Sequence, residues 1–145
     1  MTDGTTYYYN LPSRLLEYIH DEMSDSLYYQ ELANQAPNRR ACELFTEFAR
    51  DEAEHAANFR AAYCRLTGMQ PVIPPVNPPR IPPYCEAIKA RIMAESGDLV
   101  KYGEESANAP DQMLKNLFYV TSLIEGRHGL RLTTLMCGVD QKRRG

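Results

Sequence analysis

At 145 residues the chain is long enough for one domain with a continuous apolar core. A formal charge of −3 and a sequence pI near 5.6 give no broad basic field, which argues against a nucleic-acid partner. No stretch is apolar enough to span a bilayer, and the N-terminus lacks the charged, apolar and small-residue succession of a secretory signal, so a cytoplasmic protein is expected.

Taken in chain order, residues 1–11, with Tyr7-Tyr8-Tyr9, follow no period and are expected to form an arm. Pro12 then opens a first helix over about 13–36, closed by Pro37, and a second runs from Arg39 to Thr67 and stops at Gly68. These form a first hairpin over 12–68, because a link of a few residues forces antiparallel neighbours. Residues 69–83 are so rich in proline that polyproline II is favoured, reaching roughly 45 Å. That exceeds the roughly 40 Å of a helix of the length read here, so the segment is long enough to cross the whole bundle or to carry a hairpin to a second subunit. A second hairpin over 84–138 follows, with helices to about Ala107 and from Pro110 to about Cys137, and Gly138 as stop signal. Residues 139–145 are a basic tail. The expected fold is an all-α four-helix bundle of two antiparallel hairpins joined by a long crossover, one domain over 1–145.

Each helix carries an apolar seam in alternating steps of four and three. The seams read Leu15, Ile19, Glu22, Ser26, Tyr29, Ala33; Phe45, Phe48, Glu52, His55, Phe59, Ala62, Leu66; Ile88, Ile92, Glu95, Leu99, Tyr102; and Leu114, Phe118, Thr121, Glu125, His128, Leu132, Leu135. Every seam is interrupted near its middle by a carboxylate. The interruptions repeat: Glu22, Glu52 and His55 recur 73 positions later as Glu95, Glu125 and His128. Tyr29 and Tyr102, Asp25 and Asp98, Pro37 and Pro110, and Phe45 and Phe118 share that offset.

Four buried, unpartnered glutamates would be prohibitive, since desolvating one ionised carboxylate costs several kcal/mol even after relaxation. Protons, buried cations or metal must neutralise them. A Glu and a His at i, i+3 share one helix face and can serve one metal region. Four carboxylates and two neutral imidazoles balance two divalent cations, and such ligands suit hard or borderline ions. A hydrogen-bonded polar network is the alternative, and the doubled motif favours the metals. Asp51, next to Glu52, is placed to orient the far histidine, and its counterpart is Ile124. The four cysteines, Cys42, Cys64, Cys85 and Cys137, form no C-x-x-C pair, which argues against a rubredoxin-type centre or zinc ribbon within this chain. They are expected to be reduced packing residues.

Asp21-Glu22, Tyr28-Tyr29-Gln30-Glu31-Leu32-Ala33 and Ala49-Arg50-Asp51-Glu52-Ala53-Glu54-His55 resemble the rubrerythrin branch of the ferritin-like superfamily, a likeness that extends over about 15–135. The resemblance implies a ferritin-like bundle with Glu22 and Glu95 as terminal ligands, Glu52 and Glu125 as bridging ligands, and His55 and His128 as one nitrogen ligand per metal. It makes Tyr29 and Tyr102 hydrogen-bond partners of ligating carboxylates. It further implies two metal ions, iron first and manganese as the alternative, and a diiron peroxidase or oxidoreductase acting on hydrogen peroxide or dioxygen. Two departures stand out. The family's extra glutamate after the third-helix ligand is replaced by Asp98, with Asp25 in the matching place of the first half. These 145 residues contain no rubredoxin-type cysteine pairs, so an external electron donor is expected, as is a homodimer whose hairpins can be exchanged. Competing readings are a ferroxidase or iron-binding protein, a dimanganese catalase-like enzyme, and a non-enzymatic structural protein stabilised by metal.

Overall fold

The structure is a computed structural model that describes residues 4–136. Four helices, α1 (Gly4–Asn34), α2 (Arg39–Thr67), α3 (Tyr84–Asn108) and α4 (Gln112–Thr133), make up a ferritin-like bundle. Among the described residues no helix is long and apolar enough to cross a membrane. Local chemistry sets most boundaries. The Asn38 side chain accepts the Ala41 N–H at 2.9 Å and opens α2, while Gly68 closes it at φ 71°, a left-handed conformation that side chains resist. Asp111 caps α4 by accepting the Leu114 N–H at 2.8 Å, and Pro83 precedes α3. The tail and the Gly138 stop signal lie outside the described residues, and α4 ends earlier than expected, at Thr133. There the Thr133 and Thr134 hydroxyls donate to the carbonyls of Leu130 and Arg131 and compete with the helical ladder.

The expected N-terminal arm is instead helix. Tyr7 and Leu11 continue the stripe of Leu15 by steps of four, and both are buried. Pro12 sits inside α1 and removes one ladder bond, a cost of about 3 kcal/mol. Burying Tyr7 and Leu11 returns about 1.5–3 kcal/mol for each side chain, which offsets that cost. The Tyr8 hydroxyl also donates to Asp111 at 2.6 Å, tying the start of α1 to the α4 cap. Seam positions shift where a straight helix drifts off a 3.5-residue repeat: Leu32 rather than Ala33 is buried, and Leu66 and Leu99 are exposed. Of the cysteines, Cys137 lies outside the described residues, and one of the other three departs from expectation. Cys42 and Cys64 are free, but Cys85 is disulfide-bonded, a pairing that sequence spacing does not disclose.

Cross-bundle contacts fix the helix directions. Residues 14, 22 and 29 of α1 meet 105, 102 and 95 of α3, so the two are antiparallel. Residues 47 and 51 of α2 meet 131 and 128 of α4, antiparallel again. Residues 70–83 have neither helix nor strand; Ile73 packs on one core cluster and Ile81 on the other. The first cluster holds Leu15, Ile19, Phe59, Tyr102 and Phe118, and the second Tyr29, Phe45, Phe48, Ile88 and Leu132. The polar seam residues lie between these two apolar blocks.

Candidate metal centre

Seam spacing brings Glu22, Glu52, His55, Glu95, Glu125 and His128 to one place at mid-bundle, each no more than 3% exposed. Their donor atoms fall into two overlapping groups, Glu22–Glu52–His55–Glu125 and Glu52–Glu95–Glu125–His128, with one atom from each residue of a group lying within 4.8 Å of the others. Glu52 and Glu125 belong to both.

The atoms point at common spaces rather than at each other. His55 Nδ1 lies 3.2 Å from Glu125 Oε1, 3.6 Å from Glu52 Oε1 and 3.7 Å from Glu22 Oε2, and His128 Nδ1 lies 3.2 Å from Glu52 Oε1. None of these approaches is aligned as a hydrogen bond. Among the described residues, nine of the ten buried side-chain polar atoms without a hydrogen-bond partner belong to these six residues. Native interiors leave few such atoms, because each costs about 1–3 kcal/mol. Convergent, orphaned oxygen and nitrogen atoms are the pattern a cation site requires, and the donor set suits two divalent ions.

Protonation follows the same crowding. Burial drives Glu52 and Glu125 well above the ordinary carboxylate range; the Glu22 charge adds to this for both, opposed at Glu125 by His55. Burial also opposes ionisation of Glu22 and Glu95, but His55 and His128 outweigh it and hold both low. Burial would lower the His55 imidazolium; the Glu125 and Glu22 carboxylates overcome it and push its pKa up to about 10. Protons thus fill in for positive charge when only protein groups are counted.

The surrounding residues cross between hairpins. The Tyr29 hydroxyl donates to Glu95 Oε1 at 2.5 Å and Tyr102 to Glu22 Oε1 at 2.6 Å, so each tyrosine holds a glutamate of the opposite hairpin. Burial raises both phenols well above 10, so they remain donors. Asp51 Oδ2 lies 2.7 Å from His128 Nε2. Asp25 and Asp98 turn to cations instead, Asp25 to Arg91 at 3.2 Å and Asp98 to Lys101 at 3.2 Å.

Sequence reasoning missed Arg91, a buried guanidinium on α3 beside the centre. It donates to Tyr29 Oη at 3.2 Å, lies 3.4 Å from Glu95 Oε1 and covers the Tyr28 and Tyr29 rings. The signal was available, since Arg91 stands three residues after Ile88 and four before Glu95, on the seam face. Lys101 was missed too; it lies over the rings of Tyr18 and Tyr102 at 5.1 and 4.7 Å. Phe48, Phe59, Phe118 and Leu132 pack around the centre without exposure. A cleft of about 390 Å³ between α2 and α4 reaches His55 and is lined also by Asp51, Asn58, Thr121 and Ile124.

A four-helix bundle with paired Glu and Glu-x-x-His sets facing one interior defines the ferritin-like class of carboxylate proteins. Over residues 15–76, most of the first hairpin and the start of the segment after it, the chain is similar to the rubrerythrin family, whose model matches there. No curated protein and no solved structure matches the chain.

Proposed function

We propose that this protein is a rubrerythrin-like non-haem dimetal oxidoreductase, with iron as the metal, that reduces hydrogen peroxide or dioxygen using an external electron donor. The observation that carries the reading is the set of nine buried, unpartnered donor atoms on six converging side chains. Glu22 and Glu95 act as terminal ligands, Glu52 and Glu125 as bridges, and His55 and His128 supply one nitrogen to each cation. When bound, a pair of reduced iron ions supplies the two electrons that, with two protons, convert hydrogen peroxide to two waters. The protein's share is positioning and exclusion. Tyr29 and Tyr102 fix one oxygen of each terminal carboxylate and leave the other free to ligate. The phenylalanines keep bulk water from the carboxylates, which strengthens every charge interaction inside.

The cleft at His55 is wide enough for a small oxidant and is the route we assign to it. Electrons come from a separate reductant, and a second copy of the chain completes the active particle. Exposed Met93, Val100, Leu123 and Leu130 along α3 and α4 support self-association. The test is anaerobic loading with ferrous iron followed by rapid mixing with hydrogen peroxide. The reading requires oxidation at least tenfold faster than that of free ferrous iron under the same conditions. Equal rates would overturn it.

A further inference from the structure

The two halves of the centre are matched in the residues that face the cations but not in what stands behind them. His128 has Asp51 at 2.7 Å from its Nε2. A carboxylate there accepts the ring proton, so the lone pair of Nδ1 is fixed toward Glu52, Glu95 and Glu125. The position equivalent to Asp51 at the 73-residue offset is Ile124, which cannot accept a proton. Among the described residues His55 accordingly has no hydrogen-bond partner for Nε2, although the residue is only 3% exposed. No acceptor among these residues stands behind Nε2 to hold a proton there and turn the Nδ1 lone pair toward the centre.

The glutamate ends differ as well. Glu95 is held by Tyr29 and by Arg91, whose guanidinium is anchored on the far side by Asp25. The residue matching Arg91 is Tyr18, so Glu22 has Tyr102 but no guanidinium against it. The Lys101 ammonium lies over the Tyr102 ring and pairs with Asp98 and Asp21 instead. Finally, of the two histidines only His55 lines the cleft between α2 and α4, beside Ile124 and Asp51, while Glu22, Glu95 and His128 do not reach it.

We infer that the two cation positions are unequal: the Glu95–His128 position is preorganised, fills first and holds its ion, and the Glu22–His55 position, beside the cleft, is the exchangeable one. Asp51 is the positioning residue that separates them. This rests on the dimetal reading above. Loss of a carboxylate behind a ligating histidine commonly costs 10–100-fold in metal affinity, and that factor sets the expected gap.

The test uses the full chain, stripped of metal and crystallised with one equivalent of Mn(II), and reads each position from anomalous scattering. Occupancy at Glu95–His128 should exceed that at Glu22–His55 by about tenfold or more. Asp51→Ile should bring the ratio close to one by loss at His128. The reciprocal Ile124→Asp should do so by gain at His55, and it decides the matter if Asp51→Ile does not fold. Equal or reversed occupancy in the unaltered chain would overturn the inference, as would a ratio unmoved by both variants. Two equally filled positions would leave the dimetal reading standing. No manganese at either position, even at saturation, would remove that reading and the inference with it.

Discussion

Glu52 and Glu125 carry a double electrostatic burden. Each belongs to both donor groups, and each is forced toward its neutral form by burial and by neighbouring carboxylates. Glu52→Gln is therefore expected to weaken both cations together by at least tenfold, whereas Glu22→Gln should weaken one; equilibrium dialysis against Mn(II) separates the outcomes. Proton linkage gives a second expectation. His55, with its pKa pushed up to about 10, holds a proton near neutral pH that a cation must displace, and the upward shifts of Glu52 and Glu125 act in the same direction. Cation affinity should then rise with pH by about tenfold per unit for each proton released, and fall on acidification. A calorimetric titration in buffers of different ionisation enthalpy counts the protons. Affinity that does not change between pH 6 and 8 would contradict this assignment.

At the scale of helices, α1 shows where local rules yield to packing. Proline within a helix is costly and three consecutive tyrosines follow no simple period, so an arm was the natural expectation for residues 1–11. Burial of Tyr7 and Leu11 on the α1 stripe reverses it. Tyr7→Ala should lower stability by about 3–5 kcal/mol, as aromatic truncations in cores do, measured by denaturant unfolding. An arm would lose less than about 0.5 kcal/mol. The start and stop of α2 were legible because Asn38 and Gly68 act locally, one through a side-chain cap and the other through its backbone freedom. The paired carboxylates and imidazoles were legible because helical spacing alone projects them onto seams. What stayed hidden depends on which seams meet. Tyr29 could be assigned to the centre from its spacing, but its pairing with Glu95 rather than Glu22 follows from α1 lying against α3. The place of Arg91 on the seam face was legible from its spacing, but not its partners Asp25 and Tyr29, which come from another helix. Cys85 joins a disulfide that its isolated position in the sequence did not suggest.

For the whole molecule, the centre sits between two apolar clusters that would otherwise form one core. The bundle thus carries a polar layer whose orphaned atoms weaken it unless a cation satisfies them. On the dimetal proposal cation binding and folding are coupled, because the six candidate donors come from four helices and converge only in the native chain. At a free concentration one hundred times the dissociation constant, each cation should add about 2.7 kcal/mol to the unfolding free energy. A chelator should remove that increment, and thermal unfolding with and without it is the check. Unfolding that is indifferent to the chelator would mean that the polar layer is satisfied by protons alone.

Whether this interior holds two cations is decided by counting metal in native mass spectra of the anaerobically loaded protein. Two iron or manganese ions per chain are expected in the unaltered protein. A chain that retains one ion, or none, under conditions where it remains folded would contradict that expectation.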